Sequence, residues 1–395
     1  MTNPVRIAKT LVETAPYRPQ SLRSMVRATT KRHPGTRERR IAATADWLRR
    51  AQDATTDGGV SWGYQFRGGW QASYPETTGY IVPTYLALHD DPAFAAADGS
   101  DRSRAEKAIA FLCGVQLDNG AFPGARIDEN QSKPSVFNTG QILNGLTAWR
   151  RLTGDEAVGA RADRAAAWLV ATQDDDGAFR QHVYNGLPTA YVAHATCWLA
   201  EHAALTGDAP ARAAAERHLD WVLGHVDRET AWFDLAGFAA EDHAARRSVT
   251  HTLAYTMWGV LDMGSVLGRE DAIEASAAAA VRAAKVVHEH NRLPGFLDTT
   301  WTDGTSWACL TGNSQMALVW YKLAEIGHPA GDLEAARIVL DRVLEAQDLG
   351  SADPGIQGGI PGSDPPWGAY MRLVLPNWAA KFTIDALLEE RRHSA

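Results

Sequence analysis

Side chains able to exchange protons or form hydrogen bonds occur in stretches of this chain that are otherwise apolar and predicted to be helical. They lie at the start of each stretch or one turn inside it. The set is Glu76, Gln141, His194, His251, Tyr255, Gln315 and Lys381. A polar group buried without a partner is costly. The same pattern in six segments therefore favours one shared polar cavity over six separate hydrogen-bond networks.

His251 and Tyr255 are four residues apart, which places both on one face of a helix. Removing the proton next to a uronate carboxylate needs a base, a group that returns the proton and a group that neutralises the carboxylate. We predict that His251 and Tyr255 carry this proton chemistry while Glu76 and Asn138 hold the substrate. The competing interpretation of His251 is a core histidine whose hydrogen bonds are satisfied.

A glycoside hydrolase would instead need two carboxylates about 5–10 Å apart. Glu76 with Asp298 or Asp303 is the first pair to consider, although the sequence fixes no distance between them. Lys381 has two equal interpretations, a group in the cavity or one half of an internal ion pair.

Aromatic rings beside hydrogen-bonding groups are typical of sugar sites, because a pyranose has an apolar C–H face and a polar rim. The chain has 14 Trp residues, and several lie in loops that precede the apolar helices. The predicted substrate-binding residues are Tyr80, Asn138, Gln141, Tyr191, His194, Trp232, Trp301, Trp307, Asn313, Gln315, Trp367, Asn377 and Lys381. For any single member a helix cap or loop packing is the simpler alternative.

A unit of about 50–65 residues recurs six times along the chain. Each unit begins with an amphipathic helix and ends with a more apolar one, separated by a Gly- and aromatic-rich loop. Two units share a Gln-x-x-x-Gly-Ala-Phe turn, at residues 116–122 and 173–179. Leu-Thr-Gly-Asp at 152–155 and 205–208 predicts that Gly ends one helix and Asp caps the next.

Helices with one apolar stripe belong outside, and helices that are apolar nearly all round belong inside. Six outer–inner hairpins of this kind close into an all-α ring, an (α/α)6 toroid. An open solenoid would leave one apolar face of the inner helices exposed to solvent. We predict one toroid over residues 36–395, preceded by a basic arm over residues 1–35. The inner helices start at one mouth, where their N-termini together attract negative charge.

Composition excludes several classes of protein. The net charge of the 395 residues is −8, and ten basic residues within the first 40 leave a strongly acidic body, which argues against nucleic-acid binding. No apolar run is long enough to cross a membrane. The three cysteines, Cys113, Cys197 and Cys309, fit neither a disulfide framework nor a metal knuckle. With no secretory signal evident either, we expect a reduced, cytoplasmic protein that needs no cofactor or metal.

The basic arm includes Arg23, Arg27, Lys31 and Arg32. The simplest interpretation is a solvated tail, or one that folds back on the acidic body. A second interpretation is peripheral contact with an anionic membrane or a lipid-linked substrate.

The Gln-x-x-x-Gly-Ala-Phe turns resemble those of the (α/α)6-toroid superfamily. It includes six-hairpin glycosidases, polysaccharide lyases and sugar epimerases, and its QW-repeat relatives are terpenoid cyclases and prenyltransferases. The segments at residues 74–80, 137–141, 251–255, 310–315 and 376–382 resemble a bacterial group of toroid proteins linked to polysaccharide or related biosynthetic loci. The resemblance covers about residues 40–390. It implies the fold, which hosts unrelated chemistries.

The terpenoid branch has motifs that this chain lacks. The nearest approach to an Asp-x-Asp-Asp acid is Asp174-Asp175-Asp176, which lies in a repeat turn, and residues 90–95 do not supply Asp-Asp-x-x-Asp. Cys309 lacks the neighbours of a prenyltransferase zinc site. The leading hypothesis is therefore a metal-independent acid–base enzyme that acts on a small or oligomeric sugar, an anionic one of the uronate type, as a lyase, epimerase or glycosidase. A terpenoid cyclase-like enzyme and a non-catalytic glycan-binding toroid are the alternatives.

Overall fold

The computed structural model describes residues 35–302 and 304–394. The predicted basic arm lies outside the described residues apart from Gly35, and so does the candidate carboxylate Asp303.

Helices account for most of the described chain. In chain order they are α1 (Arg37–Asp53), α2 (Pro75–Asp90), α3 (Ser100–Val115), α4 (Val136–Thr153), α5 (Glu156–Thr172), α6 (Ala193–Thr206), α7 (Ala209–Leu223), α8 (Ala240–Ala244), α9 (Thr250–Leu267), α10 (Glu270–His290), α11 (Leu310–Glu325), α12 (Leu333–Glu345) and α13 (Asn377–Ser394). Two 3₁₀ turns cover Tyr184–Gly186 and Ala190–Val192. The strands are β1 (Gly63–Gln65), β2 (Gly69–Trp70), β3 (Val226–Asp227), β4 (Trp232–Phe233), β5 (Arg247–Val249), β6 (Phe296–Asp298), β7 (Ala308–Cys309), β8 (Ser363–Asp364) and β9 (Val374–Pro376).

The long helices form two concentric rings. In the inner ring α2, α4, α6, α9, α11 and α13 pack in that order, and α13 contacts α2. Each inner helix also packs on the outer helix that follows it along the chain, and α13 packs on α1. The predicted (α/α)6 toroid is confirmed.

The difference between the rings follows from their sequences. Residues 250–264 of α9 are all buried, as expected for an inner helix in contact on every side. The outer helix α10 buries a stripe dominated by alanine and exposes its charged face. The amphipathic pattern of each helix thus decides which ring it joins.

Neighbouring inner helices approach each other closely at glycines. A Cβ at Gly79 of α2 would lie 2.5 Å from Cα of Ile142 on α4. One at Gly312 of α11 would lie 2.6 Å from the backbone nitrogen of His251 on α9. These contacts fix how each inner helix is aligned along its neighbour. They therefore also fix how far each polar side chain lies from the mouth of the ring.

The repeat turns join adjacent outer helices. Nε2 of Gln116 donates to the carbonyls of Gly120 in its own turn (2.8 Å) and Arg161 on α5 (2.9 Å). Gln173 makes the same pair of bonds to Gly177 and Ala214. The turn glycines have φ of +92° and +90°. Glutamine and glycine therefore recur because together they dock each turn on the next unit.

The Leu-Thr-Gly-Asp turns also have their predicted form. Gly154 and Gly207 end α4 and α6 with left-handed backbone. Asp155 and Asp208 accept hydrogen bonds from the first turns of α5 and α7.

The last unit is joined to the first. Nε2 of Gln347 donates to Oγ1 of Thr44 on α1 (2.7 Å) and to the carbonyl of Gly358 (2.9 Å). At the mouth, β1 pairs antiparallel with β9, with Tyr64 opposite Leu375. Antiparallel pairs β5–β6 and β7–β8 likewise connect loops of neighbouring units, so the loops that form the mouth are held to one another.

Candidate active site

A cavity of about 1080 Å³ opens at the mouth of the ring, where the inner helices begin. Its lining includes the first turns of α2, α4 and α9, with Glu76, Asn138 and His251. Tyr80 and Tyr255 from α2 and α9, and Tyr191 from the 3₁₀ turn before α6, also line it. Six of the residues predicted from sequence thus lie around one cavity.

Glu76 is the carboxyl group at the centre of the site's polar network. Its Oε2 accepts a hydrogen bond from the hydroxyl of Tyr74 (2.6 Å). Nδ2 of Asn138 donates to the same hydroxyl (3.3 Å) and to the carbonyl of Pro123 (3.1 Å). Burial raises the pKa of Glu76 to about 7, against the opposing effect of the hydrogen bond from Tyr74. Glu76 can therefore both give and accept a proton near neutral pH.

His251 and Tyr255 stand on α9, with ring centroids 4.4 Å apart. Nδ1 of His251 donates to Oε1 of Gln315 (2.8 Å). Burial lowers the pKa of His251 to about 4, although the bond to Gln315 opposes this, so the imidazole is neutral. Burial, with the nearby Glu76, raises the pKa of Tyr255 well above its usual value, so the phenol keeps its proton.

Aromatic rings make up much of the cavity wall. Besides Tyr80, Tyr191 and Tyr255, they come from Trp62, Tyr74, Phe137, Tyr184, Phe238, Tyr370 and Trp378. Sequence reasoning assigned no site role to most of these. Phe137 directly precedes Asn138 of α4, and Tyr74 lies two residues before Glu76 of α2, a signal that could have identified both. Phe238 and Tyr370 lie in irregular loops, where no periodicity marks them.

Three of the predicted binding residues lie behind the cavity wall rather than in it. Gln141 contacts Nδ1 of His194 (2.8 Å), and the His194 ring packs on Tyr255 at 4.2 Å. Gln315 holds His251 as described above. These residues are buried and support the lining side chains from below.

Three others are occupied by structural bonds. Nδ2 of Asn313 donates to the carbonyl of Cys309 (2.7 Å). Nδ2 of Asn377 donates to the carbonyl of Ser61 and to Oγ1 of Thr77. Nζ of Lys381 lies 2.5 Å from Oδ2 of Asp385, so of its two interpretations the internal ion pair is the one found.

The predicted tryptophans stand apart from the cavity. Trp232 and Trp301 pack ring against ring, with centroids 5.5 Å apart. Trp307 lies in a small apolar cluster that also contains Tyr370, and Trp367 is buried in the main core. None of the four lines the cavity. Their loops pack against each other, which removes these rings from a substrate's reach.

Asp298 ends β6, and its Oδ1 accepts hydrogen bonds from the backbone and hydroxyl of Thr300 (2.9 and 2.6 Å). It does not line the cavity. Glu129 does line it, at the exposed rim, where Arg126 pairs with it at 2.9 Å. In the described part of the lining, Glu76 is therefore the one carboxyl away from the rim.

The aspartates of the repeat turn have a structural role. Arg180 pairs with Asp174 (2.9 Å) and Asp176 (2.6 Å), and its hydrogen bond lowers the pKa of Asp176 to about 2. Among residues 35–302 and 304–394, no cluster of three His, Cys, Asp or Glu side chains could hold a metal ion. Within the same ranges, every helix is too short or too polar to cross a membrane.

Solved structures of similar architecture cover most of the chain. An unsaturated glucuronyl hydrolase specific for heparin aligns with a TM-score of 0.68 over 91% of this chain and 97% of its own, at 14% identity. The protein is an (α/α)6 toroid. Cellobiose 2-epimerase from Bacillus thermoamylovorans B4167 gives 0.67 over 86% of this chain and 95% of its own, at 13% identity. At such identities the likeness establishes the fold alone.

One part of the sequence resembles a curated enzyme with another name. Over 185 residues, 44% of this chain, it is 31% identical to copalyl diphosphate synthase from Streptomyces cyslabdanicus. The match spans 31% of that enzyme, so the chain corresponds to less than a third of the relative's length. No protein-family model matches the sequence.

Proposed function

We propose that the protein is a carbohydrate-active enzyme whose own side chains perform general acid–base chemistry on a uronate-type sugar. The observation that carries the proposal is Glu76, a carboxyl group in the cavity whose pKa is about 7. A group with that pKa exchanges protons most effectively at neutral pH.

The position of the second group favours proton transfer at carbon. Glu76 is on α2 and Tyr255 is on α9, the inner helix on the opposite side of the ring. Both side chains line the cavity, so a sugar bound there would meet a proton-exchanging group from each of these two helices. In this proposal Glu76 takes the proton next to the carboxylate, and Tyr255 supplies one to the other face, which inverts that carbon. His251 accepts a hydrogen bond from a substrate hydroxyl.

If the sugar carries a leaving group next to the resulting carbanion, the same site performs elimination instead. The proposal is therefore an epimerase or lyase. A glycosidase that uses two carboxylates is less well supported, because Asp298 is outside the cavity.

Several features suit an anionic sugar. The aromatic wall offers faces to its C–H groups. The N-termini of α2, α4 and α9 open on the cavity and favour a carboxylate there. The volume of about 1080 Å³ matches a small ligand or the end of a short chain.

The test is incubation with uronate-containing oligosaccharides in deuterated water. Incorporation of deuterium at the carbon next to the carboxylate, monitored by NMR, would indicate epimerisation. Ultraviolet absorbance from a new conjugated double bond would indicate a lyase. Glu76→Gln should lower turnover by about a hundredfold or more. Asp298→Asn, the matched amide variant outside the cavity, should leave it unchanged. Absence of exchange, elimination and binding with all uronates would refute the proposal.

A terpenoid cyclase-like activity is the second candidate. Two observations favour it: the match to copalyl diphosphate synthase, and an aromatic wall that could stabilise carbocations. The discriminating measurement is thermal stabilisation by isoprenyl diphosphates with and without magnesium, compared with uronates. A ligand at 100 times its Kd adds about 2.7 kcal/mol to the free energy of unfolding. Stabilisation by isoprenyl diphosphates alone would favour this candidate.

A further inference from the structure

Two histidines and two glutamines occupy matching positions around the inner ring. His194 and His251 are the second residues of the adjacent helices α6 and α9. Gln141 and Gln315 are the sixth residues of α4 and α11, the helices that flank this pair. Each glutamine reaches Nδ1 of the neighbouring histidine at 2.8 Å.

The two imidazoles enclose one phenol. The centroid of the Tyr255 ring lies 4.2 Å from the centroid of the His194 ring and 4.4 Å from that of the His251 ring. His251 is 6% exposed, and the other three members of the histidine–glutamine pairs are at most 1% exposed. Rotation of either imidazole would break its contact with glutamine.

The glutamines present opposite groups to the two rings. Nε2 of Gln141 faces Nδ1 of His194 and also the backbone carbonyl of that residue (3.3 Å), so the amide donates. Nδ1 of His194 must then accept, and the proton of a neutral ring is on Nε2. Gln315 instead presents Oε1 to His251, so there Nδ1 carries the proton and Nε2 is the basic nitrogen.

We infer that Gln141 and Gln315 are positioning residues that hold His194 and His251 in opposite tautomers. The wall residue His251 thereby offers a basic Nε2 to the cavity, whereas His194 carries its proton on an Nε2 that is buried behind the wall. That His251 then meets a sugar hydroxyl rests on the proposed function; the tautomers themselves do not.

The groups around each ring keep it neutral. His251 faces Tyr255 on its own helix, Gln315 on α11, and Tyr370 and Phe238 from the loops. His194 faces Tyr255 and Trp258 on α9, Trp198 on its own helix, Phe382 on α13 and Gln141 on α4. Burial lowers the pKa of His194 well below its usual value, and Lys381, His251 and Lys322 add to this. Near neutral pH both histidines are therefore uncharged, and the glutamines determine which ring nitrogen carries the proton.

The direct test is a long-range ¹H–¹⁵N correlation spectrum of the whole protein labelled with ¹⁵N-histidine. His194→Gln and His251→Gln would assign the two sets of signals. We expect the protonated-nitrogen signature at Nδ1 for His251 and at Nε2 for His194. The same tautomer in both rings would overturn the inference, and this measurement on the unsubstituted protein depends on no variant.

Matched variants then separate positioning from packing. Gln315→Met should remove the Nδ1–H signature of His251 and leave His194 unchanged, and Gln141→Met should do the reverse. Gln315→Glu retains an acceptor, so it should restore the Nδ1–H signature and raise the pKa of His251. An unchanged His251 signature in folded Gln315→Met would contradict the inference. If no uronate reacts, the proposed function is refuted. The spectra still decide which tautomer each histidine adopts, because they do not depend on turnover.

Discussion

Glu76 and Tyr255 belong to inner helices on opposite sides of the ring, yet both line the same cavity. Each is a protonated or readily protonated group near neutral pH, because burial raises the pKa of both. Groups that can carry a proton therefore reach this cavity from two inner helices that are not neighbours in the ring.

Glu76 should make the stability of the protein depend on pH. Its pKa is raised from 4.5 to about 7 on folding, so the stabilisation is complete below about pH 4.5 and is lost as the pH rises through 7. The loss amounts to roughly 3 kcal/mol at most. The free energy of unfolding, measured between these pH values, should fall in the wild type and much less in Glu76→Gln. Asp298→Asn should keep the wild-type slope; equal slopes in all three proteins would contradict the assignment.

The direction of the pH–rate profile should identify the role of Glu76. If its carboxylate removes the proton, kcat/KM rises as the pH increases through about 7 and then levels off. His251, with a pKa of about 4, adds no transition in that range. A rate that instead falls above pH 7 would show that Glu76 acts as the acid.

Close packing of the inner ring should make Gly79→Ala destabilising. The new Cβ would lie 2.5 Å from Cα of Ile142, and both helices would have to move. We expect a loss of about 1–3 kcal/mol in chemical denaturation. The control is Gly114→Ala, at an exposed helical glycine with no atom within 4 Å of the new Cβ. That variant should gain up to about 1 kcal/mol, and similar effects of the two substitutions would argue against the close contact.

The turn glutamines should contribute to stability and not to catalysis. Gln116→Met removes two hydrogen bonds to backbone carbonyls. The expected loss is about 1–3 kcal/mol. The control is Gln181→Met, at an exposed glutamine just after the second of these turns, which should change stability little. Thermal unfolding gives the comparison, and a drop in turnover at full folding would show that the turn has a second role.

The ring could be predicted from sequence because its signals are local. Amphipathic periodicity separates outer from inner helices, and Gly154 with Asp155 marks a turn without any knowledge of distant contacts. Glu76, His251 and Tyr255 were identified as polar exceptions in apolar helices, and all three line the cavity together with Asn138, which was predicted to hold the substrate. Their roles remain predictions.

The loops could not be predicted in the same way. Trp232 and Trp301 face each other in the fold, but nothing in the sequence distinguishes a ring that stacks on a substrate from one that stacks on another loop. Tyr370 enters the cavity from an irregular segment where Met371 and Leu373 have positive φ. The sequence also did not show how far below the mouth each polar side chain lies. Lys381 is four residues beyond Asn377, and its ammonium group pairs with Asp385 and does not reach the cavity.

The junction of the last unit with α1 has a consequence for unfolding. In an open array of repeats the terminal members have one neighbour each, so they fray first. Here Gln347 binds Thr44, and Arg37 pairs with Glu390 at 3.0 Å, so the first and last units each have neighbours on both sides. Local opening anywhere in the circle must break two interfaces. Amide hydrogen exchange should therefore show no gradient of protection from one end of the repeat series to the other.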